Sequence, residues 1–102
     1  MKIEVLHIDE CPSWIPAAAQ VREALDRLGL QDSPVATRRL STPEEAGATA
    51  FAGSPTITVD GVDLFPSDGR TSELACRVYP TDRGLAGTPS AAQIVEAIRA
   101  RG

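Results

Sequence analysis

Two cysteines, Cys11 and Cys76, are the sulfur nucleophiles of this chain. Cys11 lies in the stretch Asp9-Glu10-Cys11-Pro12-Ser13-Trp14, where an apolar alternating run over residues 1–8 hands over to an amphipathic helical run. A cysteine just ahead of a helix meets unpaired backbone N–H groups and the positive end of the aligned peptide dipoles, which favour a thiolate. The thiolate, not the thiol, attacks disulfides and binds soft metals, so the chemistry to expect here is sulfur chemistry. The helix end contributes about 0.3–1 kcal/mol to an adjacent anion, and up to ~2 kcal/mol when partly buried. The neighbouring Asp9 and Glu10 carboxylates oppose it by a comparable amount. A modestly acidic Cys11 thiol is therefore expected, unless Arg39, Arg70 or Arg77 closes on the site.

The other groups near this loop have plainer readings beside sharper ones. His7, the only histidine, shares a strand face with Ile3 and Val5. A partly buried ring bonded to backbone is expected, with proton transfer to Cys11 as the second reading. Asp9 and Glu10 read first as solvated loop charges, and Asp9 second as a group managing the Cys11 proton. Cys76 is either an inert small hydrophobe beside Leu74 and Val78 or a partner for Cys11. Pairing needs Cα atoms within about 4.4–6.8 Å, which only the fold can arrange.

The elements that must position these groups fit one domain over residues 1–102. A chain of this length buries roughly 65% of its unfolded surface. Hydrophobic residues make up 42% of it, but only four residues are aromatic, so the core is built from Ala, Leu, Ile and Val. The net charge of −4, with scattered basic residues, argues against nucleic acid or an anionic membrane surface as partner. The sequence enters a strand pattern at once, without a leader-like basic and apolar start, and holds no apolar run of about 18 residues. The expected compartment is the cytoplasm, where cysteines are more often chemical or inert than permanently bridged. No phosphate loop, dinucleotide glycines or paired catalytic carboxylates occur, so no cofactor is expected.

Along the chain, residues 1–8 read as a central strand with apolar side chains on both faces. Trp14, Ala18, Val21, Leu25 and Leu28 form one face of a helix that Gly29 stops. Pro34 to Leu40 reads as an edge strand, parallel to the first through a right-handed crossover. Thr42-Pro43-Glu44-Glu45 is a capping box opening a short helix. Thr56–Val59, Asp60-Gly61 and Val62–Phe65 form a β-hairpin. Residues 66–87 are irregular and rich in turn formers, with a helical turn at Ser72 to Ala75 and a strand fragment at Arg77 to Tyr79. Thr88-Pro89 opens the last helix, with Ser90-x-x-Gln93 as a competing cap.

This β-α-β-α-β-β-α order, with Cys11 between the first strand and first helix and Gly53-Ser54-Pro55-Thr56 entering the hairpin, resembles the thioredoxin fold in its minimal, glutaredoxin-like form. The resemblance covers the chain outside residues 66–87. It implies an α/β domain with a four-stranded mixed sheet in the order 2-1-3-4 and helices on both faces. It also implies Cys11 as nucleophile, a cis Pro55 close to it, and Ser54 offering backbone groups to an extended peptide or to glutathione. The departure is Cys11-Pro12-Ser13-Trp14 where the family carries Cys-x-x-Cys. Trp14 cannot attack a mixed disulfide, so it either packs on the apolar stripe or forms part of a substrate platform. Resolution would fall to Cys76 or to an external thiol such as glutathione.

The function expected on this resemblance is atypical thiol–disulfide redox chemistry with a protein thiol or disulfide, or glutathione, as partner. A rival from another class is a non-catalytic binding module that keeps the Pro55 groove. A third reading is soft-metal handling, because Cys11, Cys76 and Asp9 loosely resemble the ligand inventory of organomercurial lyases. In that family an aspartate stands where this chain has Trp14. No paired Cys-x-x-Cys or Cys-x-x-His spacing supports a structural zinc site.

Overall fold

The computed structural model describes residues 2–66 and 74–101. The chain order is β1 (Ile3–His7), α1 (Trp14–Arg27), β2 (Val35–Arg39), α2 (Pro43–Gly47), β3 (Thr56–Val59), β4 (Val62–Asp63), β5 (Tyr79–Thr81), β6 (Gly84–Ala86) and α3 (Ala91–Ala100). The first four strands form a mixed sheet in the order β2-β1-β3-β4, as expected from the sequence. β1 lies in the middle, parallel to β2 and antiparallel to β3, with Ile3 opposite both Val35 and Val59.

The central place of β1 follows from its alternation. Ile3 and Val5 point to one face and join Val21, Leu25, Ile57, Ile94 and Val95, so α1 and α3 cover that side. Leu6 and Ile8 point to the other, where they meet Cys11, Leu40, Ala46 of α2 and Phe51. Burying a residue on either face stabilises by roughly 1.5–3 kcal/mol per large side chain. β2, by contrast, is exposed along most of its length, as befits an edge.

Local signals set the boundaries. Gly29, at φ +75°, ends α1. The Thr42 hydroxyl accepts from the Glu45 N–H at the start of α2. Asp60 and Gly61, at φ +53° and +83°, make the tight turn between β3 and β4. Of the two competing starts for α3, Ser90 prevails: its hydroxyl accepts from Gln93 N–H while the Gln93 side chain accepts from Ser90 N–H.

The 66–87 stretch departs from expectation. Instead of a lone strand fragment at 77–79, it carries a second hairpin in which Tyr79 faces Ala86 across the Thr81–Gly84 turn. Gly84 takes φ +97° there, and the Thr81 hydroxyl donates to its carbonyl. The helical turn expected at Ser72 to Ala75 begins outside the described residues. Among the described residues no helix is long and apolar enough to cross a membrane.

Candidate functional site

Cys11 follows the turn that ends β1, two residues ahead of Ser13, the N-cap of α1. Only 3% of it is exposed, because its side chain packs with Leu6, Ile8, Leu40 and Phe51. Cys76 is exposed. The two form a disulfide with their Cα atoms 5.8 Å apart, across a sequence separation of 65. The inert reading of Cys76 is thereby corrected.

One residue registers both cysteines. The Ser54 hydroxyl accepts from the N–H of Ile8, at the end of β1, at 3.1 Å. Its backbone N–H donates to the Ala75 carbonyl at 2.8 Å, and its own carbonyl accepts from Arg77 N–H at 2.9 Å. The result is a parallel bridge that sets Ser54 beside Cys76. Ser54 is 1% exposed, Pro55 is also buried, and the peptide bond between them is cis. The backbone groups assigned to an extended substrate are thus engaged by the chain itself, a correction to the reading of Ser54 as a free docking point.

Gly53 makes this approach possible. It sits at φ +108°, and a Cβ there would lie 2.7 Å from Arg77 Cβ, closer than real side chains allow. Arg77 itself does not serve the Cys11 thiol. Its guanidinium pairs with Asp63 at 2.9 Å, donates to the Phe65 carbonyl, and lies 4.5 Å from the centre of the Tyr79 ring. Tyr79 in turn donates its hydroxyl to the Pro55 carbonyl and meets Phe65 edge-on. Burial pushes the Tyr79 phenol well above its ordinary pKa, so it stays a donor throughout the accessible pH range. Asp63 and Tyr79 were not read as site residues from the sequence, and Arg77 was read only as a possible partner for the Cys11 thiol. The signal available was the Arg77-x-Tyr79 alternation, which puts both side chains on one face of an extended run.

The other candidates lie around this pair. Arg39 pairs with Asp9 at 3.5 Å in an exposed contact, and Arg70 falls outside the described residues. Trp14 is half-buried against the core, with one face stacked on His7 at 4.1 Å between ring centroids and 13° between planes. Packing thus accounts for Trp14, and only its remaining surface could meet a substrate. His7 is 6% exposed, and its Nδ1 is buried with no hydrogen-bond partner among the described residues, in place of the backbone bond expected. Among the described residues no group of three or more His, Cys, Asp or Glu side chains could hold a metal ion.

Burial lowers the His7 pKa, the Asp9 carboxylate opposes, and Arg39 adds to the depression. A base whose pKa falls on folding takes up protons more readily when unfolded. Stability is then full above the unfolded value of about 6.5 and declines as pH drops through it towards the folded value. His7→Phe is expected to raise stability by up to about 1 kcal/mol at neutral pH, since it replaces an unpaired polar ring by an apolar one of similar shape. It should also flatten the loss between pH 7 and 5. Urea unfolding at both pH values checks this.

No family model, no curated protein and no solved structure matches this chain.

Proposed function

We propose that this chain is a thiol–disulfide oxidoreductase of atypical thioredoxin-like architecture, whose working couple is Cys11 with Cys76. The observation that carries the reading is the pairing of a buried cysteine ahead of a helix with an exposed cysteine whose strand is held by bonds other than the S–S bond. Ser54, Asp63, Phe65 and Pro55 all anchor residues 75–79 without help from the sulfurs. Opening the disulfide would therefore leave the thiols close together, and a thiol so held re-forms the bond as an intramolecular step. A permanent cross-link needs no such arrangement. Cys76, rather than glutathione, then acts as the second thiol. The binding-module alternative would keep the Pro55 groove, and the engagement of the Ser54 backbone by residues 75 and 77 weighs against an extended ligand there.

The test is turnover. Reduced protein mixed with glutathione disulfide should close the Cys11–Cys76 bond at a rate independent of protein concentration. The wild type should catalyse electron transfer from dithiothreitol to a small aromatic disulfide, and Cys76→Ser should fall to the uncatalysed rate. A Cys76→Ser variant as active as wild type would overturn the proposal. So would a disulfide that never re-forms once reduced.

A further inference from the structure

We infer that external thiols and disulfides exchange with this couple at Cys76, and that Cys11 is the internal, leaving and resolving thiol. The inference rests on the redox reading of the pair and assigns its direction. That direction is opposite to the one the sequence suggested, in which Cys11 meets the substrate.

Access decides the first half. Cys11 is 3% exposed, walled by Leu6, Ile8, Leu40 and Phe51, with Leu74 packed against the same cluster. The main chain of Ser54, which would guide a substrate alongside it, is bonded on both sides of Cys76 to residues 75 and 77. Residues 74–77 thus occupy the groove from within. A sulfur attacking Cys11 would have to displace them, together with the buried Arg77–Asp63 pair. Cys76, the other end of the same bond, is an exposed residue, so a partner can approach it with the fold intact.

Position decides the second half. Cys11 is the enclosed end of the bond, two residues before the N-cap of α1, and it follows a loop start pinned where the Ile8 N–H donates to the Ser54 hydroxyl. Attack at Cys76 therefore expels a Cys11 sulfur that stays beside Cys76, placed to close on the mixed disulfide in an intramolecular step.

The steps balance as follows. A small thiol loses its proton to solvent and its thiolate attacks Cys76 Sγ. The S–S bond breaks with its electron pair passing to Cys11 Sγ, leaving a mixed disulfide on Cys76 and a Cys11 thiolate. A second thiolate attacks the small-molecule sulfur, which releases the small disulfide and a Cys76 thiolate. Both cysteines then take protons from solvent, so two thiols are oxidised and one protein disulfide is reduced. In the opposite direction the Cys76 thiolate attacks a small disulfide, and Cys11 then attacks Cys76 Sγ to expel the second small thiolate. The substrates this geometry fits are low-molecular-weight thiols and disulfides, because the Ser54 main chain, the edge that would pair with an extended peptide, is already bonded to residues 75 and 77.

The experiment uses the oxidised wild-type protein and isotopically labelled glutathione. The reaction is quenched within its first few per cent by acid and alkylation, and the mixed disulfide is mapped by mass spectrometry. At least a tenfold excess of label on Cys76 over Cys11 is expected. In parallel, reduced Cys11→Ser should react with glutathione disulfide at least ten times faster than reduced Cys76→Ser. Rapid exchange with the label mainly on Cys11, or shared equally, overturns the direction while the redox couple stands. A disulfide that glutathione does not open defeats the redox reading and this inference with it.

Discussion

Arg77→Ala is expected to lower stability by about 3–5 kcal/mol under oxidising conditions, with the disulfide still in place. The Asp63 and Arg77 side chains are 12% and 9% exposed, so the alanine variant leaves a carboxylate in a site that water barely enters. Exposed pairs in the same protein, such as Arg27 with Glu23, are expected to contribute less than about 1 kcal/mol. Asp63→Ala should be similarly damaging, because it strands the guanidinium with the Phe65 carbonyl and the Tyr79 ring alone. The double variant should cost clearly less than the sum of the two, since it leaves no unpaired charge. Urea denaturation of the four proteins measures this directly. A loss below about 1 kcal/mol in both single variants, typical of exposed pairs, would show that Arg77 does not anchor its segment.

Reduction of the Cys11–Cys76 bond is expected to cost about 4 kcal/mol, the chain-entropy value for a loop of this length. The sequence separation is 65, so the closed loop removes a large share of the freedom of the unfolded chain. Comparing urea midpoints of oxidised protein, reduced protein and Cys76→Ser checks the figure, and the last two should agree. The reduced protein should still fold, because the hydrogen bonds of Ser54, Arg77 and Tyr79 remain. Combining reduction with Arg77→Ala removes two of the holds on residues 74–79 and leaves only the Ser54 and Tyr79 bonds, so their joint cost should exceed the sum of the separate ones. The same combination should slow closure of the disulfide by glutathione disulfide. Closure as fast as in wild type would mean that Arg77 has no part in presenting Cys76.

Much of the fold was legible because its signals are local or periodic. Ile3 and Val5 fall on one face of β1 and Leu6 and Ile8 on the other, which placed the strand between two layers, and the spacing Trp14 to Leu28 marked the buried side of α1. Asp60-Gly61 and the Ser90-x-x-Gln93 cap each act within a few residues, which is why they were readable. The Cys11 loop was legible for the same reason. What brings Cys76 to it was not, since that depends on Ser54 meeting residues 75 and 77, and on Arg77 meeting Asp63, 14 positions away. Nothing in the spacing of those residues specifies the meeting. Gly53 read only as part of a loop, and its need to be glycine emerges only when Arg77 is seen against it. The β5–β6 hairpin was missed because its strands span three residues each, too short for alternation to show.

The strand that passes Ser54 also bears on solubility. β4 pairs opposite Thr58 and Val59, and the Leu64 N–H reaches the Ile57 carbonyl, which leaves the chain entering β3 at Ser54 to be covered by something else. Residues 51–59 are buried throughout and rich in β-branched side chains, the composition that recruits foreign strands when an edge is bared. Residues 75–77 close that margin from within, through backbone bonds that do not depend on sulfur. Because these bonds do not involve the sulfurs, reduced protein is expected to keep this margin covered and to show no greater tendency to aggregate than oxidised protein, which light scattering of the two forms checks.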